Sequence, residues 1–127
     1  MQAAYLEHAN LTVKDPDSAA ALLQRLFNWN IRWSGPSLDH GYTVHIGADS
    51  SYLALYTQPD VTRPTVNTYQ TEGMLNHIGV VVDDLDAVEQ KFIAEGLRTY
   101  SHGDYEPGRR FYADFTDGIE IEVCSYA

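Results

Sequence analysis

The chain has 127 residues, 44% hydrophobic and 12% aromatic, which fits one globular domain and excludes a disordered or low-complexity polymer. Eighteen Asp and Glu against eight Lys and Arg give a formal charge of −10, which repels phosphate backbones and anionic lipid, so no nucleic-acid or membrane partner is expected. The lone Cys124 builds no disulfide framework, no apolar run nears the ~20 residues of a membrane span, and the first Lys is Lys14, so no basic signal region opens the chain; a cytoplasmic domain is expected.

Tyr5 to Val13 reads as a strand. In DPDSAAALLQRLFN, Asp15 is placed to cap a helix and Pro16 to open it. Ala19, Leu22, Leu23, Leu26 and Phe27 then recur at the spacing of one helical stripe. Three short strands are predicted next, over Trp29–Ser34, Tyr42–Gly47 and Tyr52–Thr57, with Gly35-Pro36 and the segment Gly47 to Ser51 as turns. Residues 58–73 are polar, hold Pro59 and Pro64 and show no sustained period, which reads as a linker between module one, 1–57, and module two, 74–127. The pattern then restarts. Leu75–Val82 is a strand, Asp83 or Asp84 caps a helix with the stripe Leu85, Val88, Phe92 and Ile93, and Gly96 stands where a C-terminal glycine belongs. Leu97–Ser101, Arg109–Phe115 and Ile119–Ser125 complete the strands, with 101–108 as a mobile loop.

These two halves are a repeat. His8 and His77 stand sixty-nine positions apart, as do Val13 and Val82, Asp15 and Asp84, and Asp17 and Asp86; Ala54 and Glu122 stand sixty-eight apart on the last strands. The architecture predicted is α+β: two tandem βαβββ modules forming a curved, cup-shaped mixed sheet with helices on its outer face. Strand alternation places Leu53 with Leu55, Val44 with Ile46, and Ile119, Ile121 and Val123 under the helices. The opposite face then carries His8, Thr43, His45, Tyr52 and Tyr56 from module one, and His77, Tyr112, Glu120 and Glu122 from module two.

Two His and one carboxylate on one face of an octahedral ion leave three positions open for substrate or dioxygen, and His8, His77 and Glu122 supply that set at repeat-related positions. Taken singly, a strand His is more often a packed or surface residue, and Glu122 could be one solvated carboxylate among eighteen; two His at equivalent repeat positions, with a Glu on a face that otherwise lacks reason to be acidic, make these three candidate ligands. No phosphate-cradling Gly loop, G-x-S-x-G elbow, H-E-x-x-H or C-x-x-C is present, against nucleotide-binding, triad-hydrolase and zincin chemistry.

The segments LEHANLTVKD, MLNHIGVVVDDLDA and TDGIEIEV resemble the vicinal oxygen chelate superfamily, also called glyoxalase/bleomycin resistance/dioxygenase proteins, over nearly the whole chain. The resemblance implies that the first-strand His and last-strand acid of each half hold a divalent metal, and these positions are His8, Ala54, His77 and Glu122. Ala54 departs from the pattern. Glyoxalase I-like isomerases and epimerase-like members carry Glu or Gln there, so proton-moving isomerisation is disfavoured. Three ligands without the fourth resemble extradiol dioxygenases and fosfomycin-type thiol transferases, although the Arg-rich stretch the transferases carry past the final Glu has no counterpart in 123–127.

The expected function is therefore a divalent-metal-dependent enzyme, dioxygenase- or lyase-like, acting on a small substrate that chelates the metal through vicinal oxygens. Fe(II) is favoured, with Mn, Zn or Ni as alternatives, and a homodimer is implied, its site closed within one chain or swapped between two. His45, Tyr56 and Tyr112 are the candidate catalytic residues around the ligands, with packing as the alternative role for each, and Tyr52 is a further candidate for orienting a substrate. Arg109-Arg110 reads as an anion clamp or, more simply, a solvated face, and Cys124 as a small buried residue. The rival reading is a non-catalytic binding or resistance protein for an antibiotic-type small molecule; a third is an interaction module with no ligand at all.

Overall fold

The computed structural model describes residues 2–127. Its contacts divide the chain into two units, the first reaching Thr62 and the second running Arg63–Ala127. Unit one is β1 (His8–Thr12), α1 (Pro16–Phe27), β2 (Asn30–Ser37), β3 (Gly41–Gly47) and β4 (Tyr52–Thr57). Unit two repeats that order with β5 (His77–Val81), α2 (Leu85–Ala94), β6 (Thr99–Tyr105), β7 (Gly108–Asp114) and β8 (Glu120–Ser125). Each unit builds its own four-stranded mixed sheet, in the orders β1-β4-β3-β2 and β5-β8-β7-β6. First and last strands pair in parallel and the other neighbours are antiparallel. The α+β class and the two βαβββ modules stand as the repeat predicts.

The helices begin and end where the sequence signals lie. Asp15 accepts from the Ser18 amide at 3.2 Å and its hydroxyl at 2.7 Å, with Pro16 in the first turn, and Asn28 closes α1 in the left-handed region at φ 58°. Asp84 accepts from the Ala87 amide at 3.1 Å. Beyond α2, Gly96 has φ 79°; its amide donates to the Ile93 carbonyl, and the Leu97 amide to that of Phe92, satisfying the carbonyls the last turn leaves open.

Apolar alternation sets the core of each unit. Leu23 and Leu26 of α1 pack with Val44, Ile46 and Leu55, all fully buried. In unit two, Phe92 of α2 meets Phe111 of β7 edge-on at 5.5 Å, beside Ile121 and Val123. Ile93, included in the predicted stripe, is half exposed, since the α2 stripe is narrower than that of α1.

Two segments read as turns are strand. β2 runs through Gly35-Pro36 to Ser37, a proline that an edge strand tolerates. The predicted loop 101–108 is the tip of a β6–β7 hairpin, with Gly103 paired to Arg110 and Tyr105 to Gly108. The Tyr105 ring lies over Gly103, where any Cβ would meet it at 2.5 Å, and this packing fixes the hairpin. Among the described residues no helix is long and apolar enough to cross a membrane.

Candidate functional site

The helix-free face of unit two concentrates the polar chemistry. β5 and β8 pair in parallel, which sets His77 opposite Glu120 and Gly79 opposite Glu122, while β7 sets Tyr112 opposite Glu122. The gap left by Gly79 lets His77 reach its diagonal neighbour, and Nε2 of His77 lies 3.1 Å from Oε1 of Glu122. Both side chains are largely buried, 29% and 14% exposed. On the other side of the ring, Nδ1 of His77 is 2.7 Å from Oδ1 of Asn76. With Nδ1 donating to Asn76, an imidazole ring without a second proton would turn its Nε2 lone pair toward a carboxylate oxygen. Two acceptors at this distance call for a cation, either a proton or a metal ion. The donor set fits a divalent ion, because imidazole nitrogen and carboxylate oxygen about 3 Å apart match two adjacent ligands, each ~2 Å from one metal.

Glu122 is held from two more directions. Tyr112 donates its hydroxyl to Oε1 at 3.1 Å, and Nη1 of Arg110 donates to Oε2 at 2.8 Å. Burial and then the bond to Glu122 push the Tyr112 hydroxyl up, so it stays a donor. Arg110 is thus a buried partner of Glu122 and not the solvated residue expected, whereas Arg109 pairs outward with Asp86 of α2 at 2.9 Å.

Beside them, Glu120 accepts from the hydroxyls of Tyr69 and Tyr100, the latter at 2.5 Å. The bond to Glu120 pushes Tyr69 up to about 12, and the same hydroxyl lies 3.4 Å from Nδ1 of His77. Tyr100 is pushed up by burial and then by its bonds to Glu120 and Asp114. Tyr69 comes from the stretch expected to be linker only.

In unit one, His8 opens β1 with Nδ1 held 2.9 Å from Oε1 of Glu7. Its ring stacks on Tyr52 at 4.9 Å, Tyr52 stacks on His45 at 4.7 Å, and His45 meets the edge of Trp33 at 5.3 Å. Arg32 lies 4.5 Å over the Tyr52 ring. Burial, then the proximity of His8 and Arg32, hold His45 below its ordinary range. Ala54 is buried opposite His45 and Asn10 and offers no ligand. Tyr56 donates to the Leu38 carbonyl at 2.9 Å, which ties it to the turn between β2 and β3. Within neither unit, among the described residues, do three His, Cys, Asp or Glu gather around one point; unit two offers a pair and unit one His8. Cys124 is buried, as expected.

Asn76, Glu7, Arg110 and Tyr69 were not singled out as ligands or their partners by the sequence. Asn76 and Glu7 carried a signal: each immediately precedes its strand His, again sixty-nine positions apart, and each holds Nδ1.

The model of the Glyoxalase/Bleomycin resistance protein/Dioxygenase superfamily matches residues 7–113, most of both units. The chain belongs to this superfamily. Among solved structures, a glyoxylase/bleomycin resistance protein/dioxygenase domain from Frankia sp. EAN1pec is similar with TM-score 0.82 and 17% identity over 98% of each chain. TnmS3, an antibiotic binding protein from Streptomyces sp. CB03234, is similar with TM-score 0.74 and 15% identity over 100% of this chain and 99% of that one. The fosfomycin resistance protein FosX from Listeria monocytogenes, in a mutant form complexed with Mn(II) and a dihydroxypropylphosphonic acid, has TM-score 0.72 and 19% identity over 97% and 93%. At these identities the likeness is one of fold. No curated protein matches the chain. Within the superfamily, then, the unit-two face of this member presents a His–carboxylate pair with both partners oriented by neighbours.

Proposed function

We propose that this superfamily member is a divalent-metal-dependent enzyme acting on a small substrate with vicinal oxygens. The observation that carries the reading is the 3.1 Å approach of His77 Nε2 to Glu122 Oε1, with Nδ1 of His77 held by Asn76. His77 and Glu122 would hold the ion, and His8, with Nδ1 likewise held by a preceding side chain, is proposed as the third ligand. Bound there, a divalent ion supplies Lewis acidity and a template for neighbouring substrate oxygens. The chain's own groups do the rest. Asn76 fixes the tautomer of His77. Tyr112, kept protonated, donates to Oε1 of Glu122 and steadies that carboxylate. His45, held below its ordinary range, serves as the neutral acceptor for a substrate proton.

Ala54 leaves no carboxylate at the fourth repeat position, which favours oxygenation or elimination over isomerisation. Fe(II) suits the two-His, one-carboxylate set, with Mn, Zn or Ni as substitutes. A homodimer is proposed, with His8 supplied by the same chain or by the second copy. Screening small vicinal diols, catechols and hydroxy acids for oxygen uptake or elimination, before and after chelation, tests the reading. Turnover lost to chelator and restored by Fe(II) is expected; turnover unaffected by chelator contradicts it.

The aromatic run of His8, Tyr52, His45 and Trp33 favours a second reading, a ligand-sequestering protein. That reading predicts ligand binding which survives both chelator and His8→Ala.

A further inference from the structure

Arg110 stands on β7 in register with Gly103 on one side and Cys124 on the other, with 14% of its side chain exposed. Its guanidinium carbon lies 4.9 Å from the centre of the Tyr105 ring, and Tyr105 is itself seated over Gly103. One nitrogen, Nη1, donates to Oε2 of Glu122 at 2.8 Å. The other two, Nε and Nη2, are buried and have no hydrogen-bond partner among the described residues.

A buried guanidinium with unmet N–H groups is an expensive way to stabilise a sheet; an apolar residue of similar volume fills such a place as well or better. Being out of water, those nitrogens also offer nothing to an incoming anion. What Arg110 does contribute is direction. It takes one oxygen of Glu122 through a short, charge-assisted bond, and Tyr112 holds the other, so the carboxylate plane is fixed with Oε1 turned to His77.

We propose that Arg110 is a positioning residue that locks Glu122 as a one-oxygen ligand and thereby sets the metal affinity of the unit-two pair. This rests on the metal-centre reading above. Two effects oppose each other: the guanidinium's charge disfavours a second cation nearby, and its fixed bond favours one by holding the ligand in place. Orientation dominates, because loss of an outer partner of a ligating group typically costs 10–100-fold in affinity.

Cobalt(II) titration of the full chain, followed by its visible absorption and with circular dichroism to check folding, tests the proposal. Wild type, Arg110→Gln, Arg110→Lys and Glu122→Gln are compared. Arg110→Gln is expected to bind about tenfold or more weakly, with an altered band shape. Arg110→Lys, which keeps a charged donor but loses the planar fork, is expected to recover part of that loss. If Arg110→Gln does not fold, Arg110→Lys decides alone by weaker binding and a shifted band. A folded Arg110 variant that binds as tightly as wild type, or more tightly, overturns the proposal while leaving the metal centre intact. A wild-type chain that takes up no cobalt, or a Glu122→Gln variant that binds it unchanged, overturns the centre itself and this proposal with it.

Discussion

At Glu89 burial and bonding pull in opposite directions. Burial alone pushes its carboxyl up, but Thr99 donates to Oε2 at 2.6 Å and Nε2 of His102 lies 2.6 Å from the same oxygen, and the net effect is a carboxyl below its ordinary range. The unfolded chain then binds the proton more readily than the folded one. Glu89 therefore contributes stability above the unfolded value, about 4.3 for a glutamate, and loses it as pH falls through the lower folded value. Thermal unfolding of wild type and Glu89→Gln at about pH 6 and about pH 3.5 checks this: the wild type is expected to lose more of its midpoint, and equal losses contradict the assignment. The same competition explains which residues were legible beforehand. His8 and His77 announce themselves as candidates by matching across the repeat, and Glu122 by being an acid on a strand face with little other reason to be acidic, where the first half has Ala54. Arg110 gives no such sign, because whether an arginine is solvated or buried is decided by the strand neighbours that cover it.

Among the elements, the caps, the stripes apart from Ile93, and the turn at residues 47–51 were readable, and two other turns were not. Asp15, Asp84 and Gly96 mark helix ends through local bonds a few residues long, and local bonds are what a sequence displays. Gly35-Pro36 and the segment 101–108 look like breaks, yet both are strand, because an edge position tolerates the proline and the Tyr105 ring closes the hairpin over Gly103. Each unit also shifts register at the same repeat position, between Ile31 and Trp33 in β2 and between Tyr100 and Gly103 in β6, a feature that alternation alone cannot reveal. Gly96→Ala is expected to lower stability by about 1–2 kcal/mol. No atom lies within 4 Å of the added methyl, so the effect belongs to the positive φ alone; urea unfolding that shows no change contradicts this. Phe92→Ala removes the fully buried ring that meets Phe111, and a loss of about 3–5 kcal/mol in the same measurement is expected.

For the whole molecule, duplication is the organising fact. One βαβββ unit supplies a His at the start of its first strand and an acceptor just before it, and using the unit twice supplies both again. The second copy adds Glu122 where the first has Ala54, which makes the copies unequal: unit two carries the His–carboxylate pair, and unit one the aromatic run around His8. Superfamily membership was legible because these positions sit in short, contiguous segments. The surroundings of His77 and Glu122 were not, since they are assembled from residues far apart in the chain: Tyr69 before β5, Tyr100 of β6 and Arg110 of β7. His77 and Glu122 are proposed as two ligands of one divalent ion. Metal content of the purified chain, set beside that of His77→Ala, tests it most directly: stoichiometric transition metal in the wild type and its loss in the variant are predicted, while a metal-free wild type or a variant that keeps its metal would contradict it.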